Sequence, residues 1–368
     1  MVDAGYSKQS EGDELKIKDD VSDGILVRKA PMKSTFLPVL VFTLVHCAIC
    51  GAKDNPKPEN ATGAVLRAFE THDIVLIGEI HSNKQEYDWY RSLVTTPEFA
   101  DRVDDVVLEM GNSLYQESVD RYVRGEAVPL EHVQKAWRNT IGLTGPQSPL
   151  VAELYRAVRE TNAGRRSKHQ MRILCGDPSI DWDRVKDMHY VTPYLDQRDA
   201  WYAHVVKHEV LAKHHRALLI MGAMHFLRNS PHPSASIESK LRTAGARTYL
   251  IVFGTNTPSE CCEVDHRFDS WPTPSVVAAR GWVGELPAQS LIEGGYPYSK
   301  PKLKDGADAL LYLGPRDSLM SVSMTRAQLE GTAYGKEIER RLKIEMILQA
   351  DEVPHFAENE EEPQFPRP

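Results

Sequence analysis

A chain of 368 residues, 41% hydrophobic and 26% charged, is long enough for one large α/β domain or two ordinary ones and can build a sizeable core. Its net charge of −8, with no basic stripe or RNA-binding motif, gives nothing that favours nucleic acid as a partner. Of five cysteines, Cys47 and Cys50 fall in an apolar leader-like stretch; Cys175, Cys261 and Cys262 make no disulfide framework, so the fold must rest on its core.

Residues 1–30 are polar, charged and poor in aromatics, and are expected to stay outside the core. Met32-Lys33 then gives a basic start to the apolar run 34–50, with small residues near 48–52, the layout of a secretory signal peptide. The run is short for a membrane span. On this reading the true start is Met32 and residues 1–31 come from an upstream start codon; the rival is an uncleaved signal anchor behind a cytoplasmic tail. Leu44-Val45-His46-Cys47 half resembles a lipoprotein cleavage box, with His46 where a small residue is wanted. The expected organisation is a disordered leader and signal or anchor over 1–52, one α/β domain over 63–348, and a disordered acidic tail over 349–368.

Residues 53–62 read as a linker and 63–71 as a short helix. The run from Asp73 to His81 (D-I-V-L-I-G-E-I-H) begins with Val- and Ile-rich apolar residues closed by glycine, the pattern of a strand covered on both faces. Tyr87, Tyr90, Leu93 and Val94 have helical spacing over 85–94. A second strand, 105–110, carries Glu109 at its far end. Helices follow at 114–123, capped by Asn112 or Ser113, at 130–137, and at 149–162, where Leu150, Leu154, Ala157 and Val158 share a face. Strands at 171–176, 217–222, 248–254 and 307–314 and helices at 197–214, 234–244 and 335–347 complete the series, with 255–306 expected to be irregular. The alternation implies an α/β fold: a mostly parallel central sheet with helices on both faces, plus a helical insertion, 111–170, between strands two and three that would form a lid or subdomain.

Open parallel sheets place their chemistry beyond the carboxyl ends of strands. Four strands end there in polar residues: Glu79 with His81, Glu109, Asp177, and His225. Gly78-Glu79-Ile80-His81 and Gly222-Ala223-Met224-His225 share a G-x-x-H pattern. Glycine permits a sharp exit, and the third residue after it returns a side chain over the sheet edge. Any one of these residues alone is as readily a cap, a core histidine or an ion-pair partner. Several together at one edge are costly to bury without a task. Other signals are weaker. His204 and His208 are four apart, a metal-compatible spacing, but in a Lys- and His-rich helix that reads as a solvated face. Cys175 reads as core, and Arg121 or Arg124 of D-R-Y-V-R-G-E could bind an anion at the site. There is no G-x-S-x-G elbow, P-loop or G-x-G-x-x-G.

The succession G-E-I-H at 78–81, V-L-E-M-G at 107–111 with Y-Q and D-R-Y-V-R-G-E downstream, and G-A-M-H at 222–225 resembles the ChaN-like / Tiki / erythromycin-esterase superfamily. The resemblance runs from about Ile74 to Gly254 and is strongest to the ChaN-like branch. That branch shares the G-E-x-H spacing and a strand-terminal Glu like Glu109, and its members include haem-binding bacterial lipoproteins of iron uptake. Tiki and TraB relatives carry two G-x-x-H motifs and are regarded as metal-dependent peptidases. Erythromycin esterases use a Glu and a general-base His at the first motif, one residue further apart than Glu79 and His81, a departure that speaks against a macrolide esterase.

The leading expectation is an exported hydrolase-like protein acting on a small-molecule or peptide substrate. His81 activates a water and Glu79 orients it or shares in proton transfer. Glu109 and His225 complete the site as supporting partners, or bind a divalent metal together with His81. The alternative is a haem- or iron-binding envelope lipoprotein without turnover, its ligand Tyr115 or Tyr122, or His81 and His225. A third is a member that only scaffolds an envelope complex. In the first two the chain is expected to be periplasmic or envelope-associated, with membrane association through its N-terminal signal or a lipid anchor.

Overall fold

The computed structural model describes residues 56–142, 148–228, 236–256, 264–287 and 302–348. The leader-like segment, the acidic tail, and Cys47, Cys50, Cys261 and Cys262 lie outside them. Eight strands form one sheet among the described residues: β1 (Glu59–Asn60), β2 (Ile74–Glu79), β3 (Asp105–Asn112), β4 (Arg172–Asp177), β5 (Ala217–Gly222), β6 (Thr248–Gly254), β7 (Ser275–Ala278) and β8 (Ala309–Tyr312). Their order is β1-β7-β8-β6-β2-β5-β3-β4. The six strands from β8 to β4 are parallel, and β7 and β1 add an antiparallel edge.

Every residue of β2 and β3 is buried, which is why these strands read as unbroken apolar runs. Their side chains still alternate. Val75, Ile77, Val106, Leu108, Leu218 and Ile220 face a layer made by α1 (Ala61–Thr71), α2 (Lys84–Thr95), α3 (Pro97–Arg102), α4 (Gln116–Val123), α5 (Leu130–Arg138) and α6 (Pro149–Asn162). After α7 (Met188–Asp196), which packs in a small separate cluster with Trp182 and Ile344, the chain crosses to the other face. There Ile74, Leu76, Val107, Leu219 and Met221 meet α8 (Arg198–Glu209) and α9 (Ile237–Thr243).

Three expectations need correction. The insertion 111–170 is no lid: Val119, Val133, Leu154 and Tyr155, on α4 to α6, are at most 1% exposed and close one face of the sheet. Exposing each such side chain costs about 1.5–3 kcal/mol, so this layer stays shut. The stretch 255–306 contains β7, a four-residue strand between β1 and β8, too short for its alternation to show. The helix expected over 197–214 stops at Glu209; a single turn, Leu211–Lys213, follows, and His214 closes it at φ 55 in the left-handed region.

The register pairs Gly78 with Met221 and Glu79 with Gly222, so the two G-x-x-H exits leave the sheet side by side. They also touch. A Cβ placed on Gly78 would stand 2.9 Å from both Cα and Cβ of Ala223. Gly78→Ala is therefore expected to cost about 1–3 kcal/mol by overpacking against backbone, measured by urea denaturation.

Candidate active site

Adjacent strands β2 and β5 send their connections to opposite faces. β2 leads into α2 on one layer, and β5 leads to α9 on the other. A parallel sheet opens a crevice where neighbouring connections part in this way. His81 follows β2 and His225 follows β5, in the one-turn 3-10 helix Ala223–His225. A third strand joins them: β3 pairs with β5 only as far as Leu108 and Ile220. Beyond that point Glu109 Oε2 accepts the Gly222 N–H at 2.7 Å, so a side chain replaces the ladder where the strands diverge.

Glu79, 4% exposed, accepts on Oε1 from His81 Nδ1 at 2.8 Å. Its Oε2 is buried without a well-formed hydrogen bond. His81 is the exposed member, with 40% of its side chain open, and its Nε2 lies 3.7 Å from Glu109 Oε2. Burial works against a charged imidazole there, but the hydrogen bond donated to Glu79 and the charges of Glu109 and Glu79 outweigh it, and the His81 pKa rises to about 9.

Glu109, 3% exposed, is shared by the whole cluster. Arg198 Nη2 donates to its Oε1 at 3.0 Å, and His225 Nε2 stands 3.5 Å from the same oxygen. Burial alone would raise its pKa, yet the charges of His225 and Arg198 hold it well below the carboxylate range. His225 Nδ1 is bonded to Asp199 Oδ1 at 2.5 Å. Despite its burial, Asp199 and Glu109 lift His225 to about 9. Arg198 also donates from Nε to Asp177 Oδ1 at 2.9 Å, and the Tyr202 hydroxyl donates to that oxygen at 2.7 Å.

The structure thus brings Glu79, His81, Glu109 and His225 together. Asp177 stands one step behind, bracing Arg198. Tyr115 and Tyr122 do not join the cluster. The Tyr115 hydroxyl accepts from Asn139 Nδ2 at 2.9 Å. Tyr122 lies toward the opposite end of the sheet: its carbonyl accepts from Arg159, and the neighbouring Val123 carbonyl shares Asn162 with Met171, just before β4. Arg121 and Arg124 pair with Glu126 on the surface and leave the site without the anion-binding arginine expected there. The arginine at the cluster is Arg198, paired with Glu109 and Asp177, which sequence reasoning missed together with Asp199. Their one signal was a charged pair opening a helix, a common surface pattern.

The residues present do not suit a divalent metal. Among the described residues no three His, Cys, Asp or Glu side chains are disposed to hold one. In the set His81, Glu109 and His225, the carboxylate is already bonded to a guanidinium and a backbone N–H, and a cation would have to sit against Arg198. Tyr115 and Tyr122, the tyrosines expected as haem ligands, have their contacts outside the histidine cluster.

No family model matches the chain, and no curated protein does. Solved structures resemble it in layout. A Bacillus cereus protein is 12% identical at TM-score 0.46, over 74% of this chain and 97% of that one. An erythromycin esterase mutant in its open conformation is 11% identical at TM-score 0.39, over 71% and 94%. ChaN of Campylobacter jejuni, described with cofacial haem binding, is 11% identical at TM-score 0.29, over 54% and 91%. ChaN and an erythromycin esterase, both named above for their motifs, are thus among the structures it resembles. None of these likenesses assigns a ligand or a reaction to this chain.

Both imidazoles have pKa values raised from 6.5 to about 9, so their ion pairs stabilise fully below about pH 6.5 and that contribution is lost as pH rises through about 9. Urea denaturation is expected to show stability falling across this window. In Glu79→Gln the decline shrinks, and His81 titrates, by NMR, closer to 6.5.

Proposed function

We propose that the protein is a hydrolase of ester or amide bonds that activates water with His81 and needs no metal. One observation carries the reading: two imidazoles, each tethered through Nδ1 to its own carboxylate, turn Nε2 toward a shared Glu109 in the crevice. At 3.5 and 3.7 Å those Nε2 atoms make only long contacts with Glu109, and each can turn to a water or a substrate.

In the forward step neutral His81 takes a proton from water at Nε2 while the oxygen attacks the carbonyl carbon. Glu79 fixes the tautomer by accepting the Nδ1 proton and stabilises the imidazolium that forms. His225, charged and held by Asp199, hydrogen-bonds from Nε2 to the developing oxyanion, and the His81 imidazolium returns its proton to the leaving group as the tetrahedral species collapses. Glu109 keeps both rings aimed. The resting site favours protonated His81, so hydrolysis climbs with pH toward about 9 and falls above it as His225 discharges. The proposal keeps the chain exported, on the leader-like segment 34–50.

A panel of chromogenic esters and peptides tests the reading. His81→Ala is expected to lose on the order of 10²-fold or more in kcat/KM, and Glu79→Gln to move the rising limb to lower pH. Unchanged hydrolysis in both variants would mean that another group activates the water.

A further inference from the structure

Glu86 is a buried carboxyl that the mechanism above does not use. It is 0% exposed on the first turn of α2, beneath the Glu79–His81 turn. Its sequence setting, Asn83-Lys84-Gln85-Glu86, reads as a helix cap, and half of that cap is present: the Glu86 N–H donates to Asn83 Oδ1 at 2.9 Å. An ordinary capping box would return the Glu carboxylate to the backbone N–H of residue 83, at the surface. Here that N–H donates to the Ile80 carbonyl. The Glu86 carboxyl reaches past its own helix with Oε2, which accepts from Ile80 N–H at 3.2 Å, while Oε1 accepts from the hydroxyl of Tyr90, one turn along α2, at 2.7 Å. Ile80 is the residue between Glu79 and His81.

We propose that Glu86 is a positioning residue of the water-activating pair: by holding the Ile80 N–H from beneath, it fixes the peptide whose two flanking side chains must meet at His81 Nδ1.

A cap alone gives no reason for complete burial, since a carboxyl in the core costs more than an apolar side chain of the same volume. Burial and the neighbouring charge of Glu79 push Glu86 well above the carboxylate range, against the hydrogen bonds from Tyr90 and Ile80. A neutral acid there can hold the Ile80 amide without setting a second full charge behind Glu79. Tyr87 and Tyr90, both buried and pushed upward by burial and by these carboxyls, keep water from the rear of the pair.

This inference rests on the proposed role of Glu79 and His81, but its first test needs no substrate. A proton held between His81 Nδ1 and Glu79 gives a downfield ¹H resonance that exchanges slowly with solvent. It is expected in the unmodified chain and in Glu86→Gln, which keeps an acceptor for Ile80 N–H. It is expected to vanish in Glu86→Leu, which fills the volume without an acceptor, while the amide spectrum stays folded. With a responsive substrate, Glu86→Leu is expected to lower kcat about tenfold or more with KM little changed, and Glu86→Gln to restore most of it. If Glu86→Leu does not fold, Tyr90→Phe, which frees one Glu86 oxygen but spares the Ile80 bond, replaces it and is expected to retain the resonance. The resonance persisting in folded Glu86→Leu, or disappearing in Glu86→Gln or Tyr90→Phe, overturns the proposal. A resonance that behaves as expected in a chain without hydrolysis sinks the proposed activity instead.

Discussion

The cluster depends on burying one carboxylate. Glu109 sits at 3% exposure on a central strand, where an uncompensated charge carries an effective penalty of several kcal/mol. Each compensation creates the next demand. Gly222 N–H and Arg198 satisfy its two oxygens. Arg198, itself enclosed, needs Asp177, and Asp177 takes Tyr202 and the Ile141 N–H. His225 is drawn toward Glu109 and needs Asp199; His81 is drawn from the other side and needs Glu79. The result is an alternation of charge from Glu79 and His81 at the end of β2, through Glu109 on β3, to Arg198 and Asp199 on α8. Arg198 and Asp199 are consecutive at the start of α8 and supply one cation and one anion to it.

Backbone geometry decides that this chain of charges can close. Gly222 lies between Glu109 and His81: a Cβ there would stand 3.3 Å from Glu109 Oε2 and 3.3 Å from His81 Nε2. The missing side chain is the space in which the imidazole approaches the carboxylate. Gly78 does the same for the backbone, letting the exit of β2 lie on Ala223. The two glycines of the repeated motif thus serve different neighbours. One admits a peptide, the other a pair of functional groups.

Much of this was legible because strand ends announce themselves. The six parallel strands were readable as apolar runs, and the expected helix at 149–162 matches Pro149–Asn162, with Ser148 accepting from Leu150 N–H as cap. Glu79, His81, Glu109 and His225 were visible because each follows such a run within a few residues. Arg198 and Asp199 were hidden because they come from a helix start, where charged residues are ordinary. Glu86 was hidden behind a capping pattern that explains its presence and leaves out its destination. Tyr115 and Tyr122 were expected near the sheet edge, but α4 runs back along β4, with Gln116 bonded to the Ile173 carbonyl and the Cys175 N–H on its edge, and this carries Tyr122 away from the crevice.

Charge and exposure together separate the two histidines. Both are lifted to about 9 by the same kind of partner, a carboxylate on Nδ1 and Glu109 near Nε2. They differ in access: 40% of the His81 side chain is open, against 18% for His225. A base must exchange protons with water in every turnover, whereas a fixed charge works best where solvent cannot screen it. Tyr202 lies edge-on to the His225 ring at 5.4 Å and shields it from one side. In the proposed hydrolysis the more open ring is the one suited to proton transfer, and the enclosed ring to holding charge beside the carbonyl. The same division explains why the tether of His81 is itself supported from beneath by Glu86, while Asp199 stands on the first turn of a long helix and needs no such support.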